Sequence, residues 1–166
     1  YEWDDNKVHL NVLNASPKIV SMMRIKMFAK FFAKMGIKQV SHATLTKMYA
    51  AGFNTLLKVL GATEKELVKL DGIQTKSAAR IVKNIHDGLK GVKAPELLGS
   101  CGVFGFGVGR KRVIALMTDI PDILTTSKKG LKKRILEVEG FSDIMADKVV
   151  DNIGCAVEFI DKVSTY

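Results

Sequence analysis

Apolar and polar residues recur with helical spacing along most of the chain. From Ile19 onward apolar side chains return every three or four residues, first at Met22, Met23, Ile25, Phe28, Ala29, Phe32 and Met35. This spacing places them on one face of an amphipathic helix. Residues 1–13 instead alternate loosely, as is typical of a short strand. The pattern predicts an all-α fold that is preceded by a short N-terminal strand remnant.

A short turn motif repeats four times between the predicted helices. In each copy one apolar residue lies between small or polar residues, and a helical segment precedes and follows it. The copies are Gln39-Val40-Ser41 with Leu45, Gly72-Ile73-Gln74 with Ala78, Gly105-Phe106-Gly107 with Lys111, and Gly140-Phe141-Ser142 with Ala146. Their central residues, at 40, 73, 106 and 141, are separated by 33, 33 and 35 residues. A regular period of this size predicts four helix–turn–helix pairs.

The turn residues predict sites for anions. Glycine allows a sharp turn, and the apolar residue anchors the turn between the two helices. Backbone N–H groups at the start of the second helix can then hold a phosphate. Basic residues lie near the second and third turns, so these two turns are the favoured DNA contacts. The predicted DNA contacts are Gly72, Ile73, Gln74, Thr75, Lys76, Arg80, Gly105, Phe106, Gly107, Val108, Gly109, Arg110, Lys111, Arg112, Gly140 and Ser142, with weaker contacts from Lys38, Ser41, Lys132 and Lys133.

The charge of the chain favours an anionic partner. It has 26 Lys and Arg residues against 17 Asp and Glu residues, a net charge of +9. Such a balance is typical of nucleic-acid-binding domains, although basic surfaces also bind acidic proteins and membranes. No apolar run is long enough to cross a bilayer. We therefore expect an intracellular, DNA-associated protein, in a bacterial cytoplasm or in a host cell if the source is viral.

These motifs together resemble the tandem helix-hairpin-helix region of NAD-dependent DNA ligases, over residues 24–160. The resemblance is carried by residues 35–40, by Leu70-Asp71-Gly72-Ile73 with Lys76-Ser77-Ala78, by residues 98–107, and by Val138-Glu139-Gly140-Phe141 with Ala146. It implies a non-catalytic clamp that grips the sugar-phosphate backbone around a nick, while separate adenylation and oligonucleotide-binding-fold domains perform the chemistry. NAD would then be a cofactor of the parent ligase, and this fragment would bind none.

Two departures from the family pattern refine this resemblance. Bacterial members usually carry a four-cysteine zinc module before this region, and residues 1–35 contain no cysteine, so the chain is more similar to ligases of large DNA viruses or other divergent members. The second hairpin glycine is replaced by Gln74 in the second turn and by Ser142 in the fourth, and the first turn has no glycine at either position. Asp143 and Asp147 beside the fourth turn should also repel phosphate. We therefore expect repeats one and four to act mainly in packing.

The same resemblance divides the chain into three parts. Residues 1–23 would be the last strand of a preceding oligonucleotide-binding fold and a linker, residues 24–93 the first helix-hairpin-helix pair, and residues 94–166 the second. The sequence would thus be a fragment of a longer enzyme. We expect a monomer that packs against the preceding catalytic domains.

No catalytic or metal-binding residue is predicted in this chain. Lys69-Leu70-Asp71-Gly72 resembles the lysine motif that accepts AMP in nucleotidyltransferases, but the surrounding pattern contains no sheet to build a nucleotide pocket, and Lys69 is predicted to be solvated. Residues 99–110 are glycine-rich without the preceding strand that a dinucleotide-binding loop requires. Cys101 and Cys155 are too far apart in sequence for a zinc motif. Both cysteines and the seven methionines are predicted core residues.

Two other functions remain open from the sequence. The same turns would suit a helix-hairpin-helix part of a repair nuclease, a polymerase or a junction-binding protein. A helical protein-interaction domain is a further alternative, in which the glycine turns would be mere connectors. Binding would then not depend on the turn residues.

Overall fold

A computed structural model describes residues 2–3, 10–11 and 16–165, which form nine helices and a two-stranded antiparallel ladder. In the ladder, β1 (Glu2–Trp3) pairs with β2 (Leu10–Asn11). The helices are α1 Pro17–Lys34, α2 His42–Ala50, α3 Leu56–Leu60, α4 Glu64–Leu67, α5 Thr75–Leu89, α6 Ala94–Cys101, α7 Arg110–Asp119, α8 Leu131–Leu136 and α9 Asp143–Val163. The all-α prediction is confirmed. The ladder falls within the predicted strand segment, whose other residues lie outside the described ones.

Local sequence explains where the helices begin and which face they bury. The Ser16 hydroxyl accepts the Ile19 N–H at the start of α1, and Pro17 occupies the first helical position, which suits its missing N–H group. At α4 the Thr63 and Glu66 side chains each bond the backbone N–H of the other residue, a capping box. Helix α5 buries Ala78, Ile81, Ile85 and Leu89 along one face, as the helical period requires.

Aromatic side chains join the N-terminal and C-terminal parts of the chain in one core. Phe31 is fully buried on α1. Its ring packs edge-on against Phe32 and against Phe159 of α9, with centroid separations of 5.6 and 6.4 Å. The predicted boundary between residues 93 and 94 coincides with the start of α6. The division into two helix-hairpin-helix pairs stays a prediction, and the pairs share this core.

Burial corrects two of the predictions for sulfur-containing side chains. Cys101 is buried, and desolvation raises the pKa of its thiol to about 11, whereas Cys155 lies exposed on α9. Met48 is buried as predicted, but Met22, Met23 and Met27 are about half exposed. The core prediction was therefore wrong for Cys155 and for these three methionines.

Candidate nucleic-acid interface

Four hairpins connect helices through one shared backbone pattern. Hairpin 1 (residues 35–41) joins α1 to α2, hairpin 2 (68–74) joins α4 to α5, hairpin 3 (102–109) joins α6 to α7, and hairpin 4 (137–142) joins α8 to α9. Each contains a residue with positive φ, then an apolar anchor, then the residue that caps the following helix. In order, these triplets are Gln39-Val40-Ser41, Gly72-Ile73-Gln74, Gly107-Val108-Gly109 and Gly140-Phe141-Ser142.

The anchor of hairpin 3 is Val108, which corrects the predicted alignment of the third repeat. Phe106 was predicted to fill the space between the helices, but its side chain is 73% exposed while Val108 is 2% exposed. Both residues lie between glycines, so the local sequence alone fits either register. The fifth residue after the anchor distinguishes them, because it is fully buried in all four hairpins when Val108 is used: Leu45, Ala78, Val113 and Ala146.

With this correction the two halves of the chain match at a constant offset. Val108 lies 68 residues after Val40, and Phe141 lies 68 residues after Ile73. The same offset pairs Met48 with Leu116 and Ile85 with Ile153, and all four of these side chains are buried. Hairpins 1 and 2, the first hairpin pair, are therefore the structural equivalents of hairpins 3 and 4, the second hairpin pair.

Helix capping differs between the hairpins. The Ser41 hydroxyl accepts the Thr44 N–H at 3.1 Å, so α2 is capped by the chain itself. In the described part of the chain the cap residues Gln74, Gly109 and Ser142 make no such side-chain bond. The first N–H groups of α5, α7 and α9 therefore have no side-chain cap, and an anion can take that place.

Hairpins 1 and 2 lie side by side and share a concave surface. A cavity of about 250 Å³ is lined by residues from both hairpins, from the first turn of α2 and from the first two turns of α5, namely Gln39, Thr44, Gly72, Ile73, Ser77, Arg80 and Ile81. The predicted contacts Thr75, Lys76 and Arg80 are exposed at the start of α5 beside it. The structure thus brings Gly72, Ile73 and Arg80, which are predicted contacts, beside Gln39 and Thr44, whereas the weaker predicted contacts Lys38 and Ser41 do not line this cavity.

Side chains brace the turns of the first hairpin pair reciprocally. Lys47 of α2 donates from Nζ to the carbonyl oxygen of Asp71 in hairpin 2 at 2.7 Å. In return, Asn84 of α5 donates from Nδ2 to the carbonyl oxygen of Lys38 in hairpin 1 at 3.1 Å. Each hairpin is held by the second helix of the other.

The second hairpin pair is braced in the same reciprocal way. Lys148 of α9 donates from Nζ to the carbonyl oxygen of Phe106 in hairpin 3 at 2.9 Å. Arg112 of α7 donates to the carbonyl oxygen of Gly140 in hairpin 4 at 3.1 Å and to that of Gly107 at 2.8 Å. The guanidinium of Arg112, a predicted phosphate contact, thus spans the turns of both hairpins.

The other predicted basic contacts differ in how far they are already paired. Arg110 hydrogen-bonds Glu96 at 2.6 Å with its side chain still 56% exposed, and Lys111 is exposed beside it. In the second pair, Lys132 forms ion pairs with Asp147 at 2.7 Å and Asp143 at 3.4 Å. The hydrogen bond to Asp147 is the main reason why the pKa of Lys132 is raised.

The exposed Lys133 lies next to Lys132 on α8. Hairpin 4 therefore has less unpaired positive charge than hairpin 2.

The described residues were also compared with the requirements of a metal site and of a membrane span. Among the described residues, no group of three or more His, Cys, Asp or Glu side chains is placed to hold a metal ion. Within the same residues, no helix is long and apolar enough to span a bilayer.

Comparison with known proteins identifies this turn geometry. Residues 35–87, which contain hairpins 1 and 2, match the family of SAM-like helix-hairpin-helix tandems. The first hairpin pair is a helix-hairpin-helix tandem. The 68-residue offset extends the same arrangement to hairpins 3 and 4. The predicted fold of tandem helix-hairpin-helix motifs is confirmed.

Two relatives of the chain are viral proteins. It is 29% identical over 152 residues to a DNA ligase of Acanthamoeba polyphaga mimivirus, covering 89% of this chain and 24% of that protein. It is 24% identical over 125 residues to "Putative DNA ligase 052L" of Invertebrate iridescent virus 3, covering 74% of this chain and 16% of that protein. The predicted resemblance to viral DNA ligases is confirmed. The chain spans about a quarter or less of the length of these relatives.

Sequence reasoning missed the bracing residues Lys47, Asn84 and Lys148. Each lies in the helix that directly follows one hairpin, and each contacts another hairpin 24 or more residues away in sequence. The corrected offset supplies a partial signal, because it aligns Asn84 with Asn152 and Arg80 with Lys148. Asn152, however, bonds within its own helix, so the contacts themselves could be found only in the folded chain.

Proposed function

We propose that this chain binds double-stranded DNA through its backbone phosphates and without base preference. The observation that carries the proposal is the geometry of hairpins 2 and 3, where helix N-termini without a side-chain cap adjoin Lys76, Arg80 and Lys111. Backbone N–H groups and lysines recognise phosphate oxygens rather than base edges. The net charge of +9 gives the same partner a long-range attraction.

The relatives suggest the enzyme to which this activity belongs. Both are named as DNA ligases, and the chain matches only a small part of each. We infer that the chain is the non-catalytic helix-hairpin-helix clamp of an NAD-dependent DNA ligase in replication or repair, and that it grips nicked duplex DNA. NAD would bind to the catalytic domains of the parent enzyme. The chain would act as a monomer packed against those domains.

The structure supports unequal contributions of the four hairpins to phosphate binding. Hairpins 2 and 3 are the main phosphate sites, with Gln74, Thr75, Gly109 and Arg110 at the starts of α5 and α7. Hairpin 1 contributes less because Ser41 already caps α2. Hairpin 4, with Gly140 and Ser142, contributes less because two carboxylates hold Lys132.

Fluorescence anisotropy of this chain with nicked duplex, intact duplex and single-stranded DNA tests the proposal. Between about 50 and about 200 mM salt, log affinity for duplex should fall linearly with log salt, with a slope of about 0.9 per phosphate contact. Tighter binding to nicked than to intact duplex would support the ligase clamp. Equal binding to both would favour a general helix-hairpin-helix DNA-binding part of another enzyme.

A pair of charge-matched variants localises the contact. Lys76→Ala combined with Arg80→Ala should weaken duplex binding about tenfold or more and lower the salt slope by about two. Lys18→Ala combined with Lys26→Ala removes the same charge from exposed positions at the start and in the middle of α1, away from hairpin 1, and should have a small effect. The absence of salt-sensitive binding to nicked duplex, intact duplex and single-stranded DNA would instead favour a helical protein-interaction domain.

The dependence on NAD is tested with the full-length protein. Incubation with labelled NAD or labelled ATP and magnesium should give a covalent enzyme–AMP adduct from NAD alone. An adduct from ATP alone would reject the cofactor proposal while leaving the DNA-binding proposal intact. Lys69→Ala should not change the adduct, because Lys69 is an exposed residue of hairpin 2 in an all-helical region.

A further inference from the structure

Two large apolar side chains are exposed on the second hairpin pair. Phe106 is 73% exposed and Ile144 is 67% exposed, the two highest values among the exposed large apolar residues. Phe106 lies at the tip of hairpin 3 between Gly105 and Gly107, whose φ angles are 78° and 94°. Glycine adopts these left-handed φ angles without strain, so the chain can turn sharply on both sides of Phe106.

Both side chains belong to one surface. Ile144 is in the first turn of α9, and Lys148 follows it by one helical turn on the same face. The Nζ atom of Lys148 lies 2.9 Å from the carbonyl oxygen of Phe106. Next to Ile144, the side chain of Met145 approaches Gly107 so closely that a Cβ atom there would lie 3.6 Å from it. Hairpin 3 and the start of α9 thus lie against each other, and their two exposed side chains, Phe106 and Ile144, are called the apolar tip here.

The equivalent positions of the first hairpin pair carry lysines. At the offset of 68 residues, Phe106 corresponds to Lys38 and Ile144 corresponds to Lys76, and both lysines are exposed. The same place on two matching scaffolds is therefore cationic in one half and apolar in the other. Attraction of phosphate alone does not account for an exposed phenylalanine at this position.

The surroundings of the apolar tip indicate the chemistry of its partner. Gly109 and Arg110 begin α7 immediately after hairpin 3, and Lys111 is exposed there. The partner must therefore offer anionic groups and apolar faces within a few ångströms of each other. Duplex DNA does so in its minor groove, where deoxyribose and base edges lie between two lines of phosphates.

We propose that Phe106, supported by Ile144, is an apolar wedge that enters the minor groove and partly unstacks one base step. The proposal rests on the proposed DNA-binding function. Apolar side chains that enter the minor groove unstack base steps and bend the duplex. The hairpin N–H groups and basic residues hold the phosphates beside the wedge, and the lysines of the first pair hold an adjoining stretch without inserting.

Duplexes that carry 2-aminopurine at successive positions around a nick test the wedge. Wild-type protein should raise the fluorescence of 2-aminopurine at one step, because unstacking relieves its quenching. Phe106→Ala should abolish that increase and weaken binding about tenfold, as expected for the loss of one stacking contact. The salt slope should not change, because no phosphate contact is removed.

Three variants make the result specific. Phe106→Leu keeps an apolar wedge and should retain part of the fluorescence increase. Phe106→Lys introduces the residue of the first pair and should steepen the salt slope while abolishing the increase. Met23→Ala, which shortens an exposed apolar side chain on α1, should behave like wild type. Circular dichroism should show an unchanged fold for each variant, because both side chains are exposed.

The outcomes separate the wedge from the proposed function. Salt-sensitive duplex binding without any fluorescence increase, or with an increase that Phe106→Ala retains, would overturn the wedge and leave DNA binding in place. Loss of affinity in Phe106→Ala without a fluorescence increase in wild type would also reject unstacking. If wild-type protein does not bind duplex at all, both proposals fail together.

Discussion

The first and second hairpin pairs share a backbone and differ in what they present to a partner. Lys38 and Lys76 of the first pair stand where the second pair has Phe106 and Ile144. At the start of the last helix of each pair, Thr75 and Ala79 of α5 stand where α9 has Asp143 and Asp147. At these four positions the first pair thus carries two lysines and no acidic residue, whereas the second pair carries apolar and acidic side chains.

The difference shows which positions set the fold. Buried residues correspond closely across the offset, as Leu45 does with Val113 and Ala78 with Ala146. Exposed residues at the hairpins do not correspond in charge or size. Because the core and the turn backbone specify the scaffold, the chemistry of the exposed tips can vary without changing it. The two halves therefore serve as internal controls for each other.

One contact in the first pair has no counterpart in the second and should give the largest stability effect. A Cβ atom at Gly88 of α5 would lie 2.3 Å from Cγ1 of the buried Ile37. In the second pair Ala156 of α9 corresponds to Gly88, and Gly105 of hairpin 3 corresponds to Ile37. There the helix carries the larger residue and the hairpin carries the glycine. Gly88→Ala should lower the free energy of unfolding by about 1–3 kcal/mol, measured by urea denaturation.

Two further variants show whether that loss comes from the contact. Gly154→Ala adds a Cβ in α9 with nothing within 4 Å and should stabilise by about 0.5–1 kcal/mol through helix propensity alone. Ile37→Ala combined with Gly88→Ala should cost less than the sum of the single changes. Additive losses would show that Ile37 is not the obstacle.

The sequence was enough to predict the eight helices that flank the turns, the four turns and three of the four anchors, but α3 was not predicted. Hairpin 3 was placed wrongly because Phe106 and Val108 both lie between glycines, and only burial decides between them. A check of the fifth following residue would have indicated the error, since Lys111 is charged and Val113 is apolar. The braces could not be predicted, because Lys47 and Asp71 meet only when α2 packs beside hairpin 2.

The brace of the first pair can be compared with that of the second through DNA affinity. Lys47→Met removes the donor to one turn carbonyl, and Arg112→Met removes the donors to two. We expect anisotropy to show a loss of duplex affinity of up to about tenfold for Lys47→Met and a larger loss for Arg112→Met. The reason is that a misplaced turn no longer directs its N–H groups at phosphate.

Amide hydrogen exchange distinguishes a brace from a direct phosphate contact. In the free Lys47→Met protein the Gly72 N–H should exchange faster than in wild type. Lys30→Met, on the exposed face of α1, should leave that exchange unchanged. A lower salt slope with unchanged exchange at Gly72 would instead assign Lys47 to the phosphates themselves, and the first pair would then not be braced as the structure indicates.

The acidic residues at the start of α9 should explain part of the weak phosphate binding that is expected of hairpin 4. Asp143→Asn combined with Asp147→Asn releases Lys132 from both ion pairs. Duplex affinity should rise severalfold, and the salt slope should steepen by about 0.9 as one more cation reaches a phosphate. The loss of Asp143 from the first helical turn should cost about 0.3–1 kcal/mol of stability.

A matched variant at the other end of α9 controls for net charge. Glu158→Gln combined with Asp161→Asn makes the same change in charge and releases Lys162 from its ion pair with Glu158. If this variant raises duplex affinity as much as the hairpin variant does, the effect is long-range attraction, and the difference between hairpins 2 and 4 is not local.

The smallest effect expected is a difference in acid sensitivity between the two pairs. Glu66 of the first pair and Arg134 of the second pair are equivalent residues, 68 positions apart. Glu66 accepts hydrogen bonds from Thr63, whereas Arg134 donates hydrogen bonds to Asp122. Hydrogen bonds to Thr63 lower the pKa of Glu66 from 4.5, and those from Arg134 and Thr126 lower the pKa of Asp122 much further from 3.8. A carboxylate with a lowered pKa stabilises the fold above its unfolded pKa, and this stability is lost as the pH falls through the folded value.

Melting temperatures between about pH 7 and about pH 2 should therefore fall for the wild-type protein below pH 4.5, first through Glu66 and then through Asp122. Glu66→Gln should flatten the upper part of this decline, and Asp122→Asn should flatten the part below pH 3.8. At neutral pH both variants should melt below wild type, and the gap should close as the wild-type carboxylates become protonated. If the gap stays constant down to the lowest pH, neither carboxylate stabilises its hairpin pair through its charge, and the acid sensitivity of the two pairs arises elsewhere.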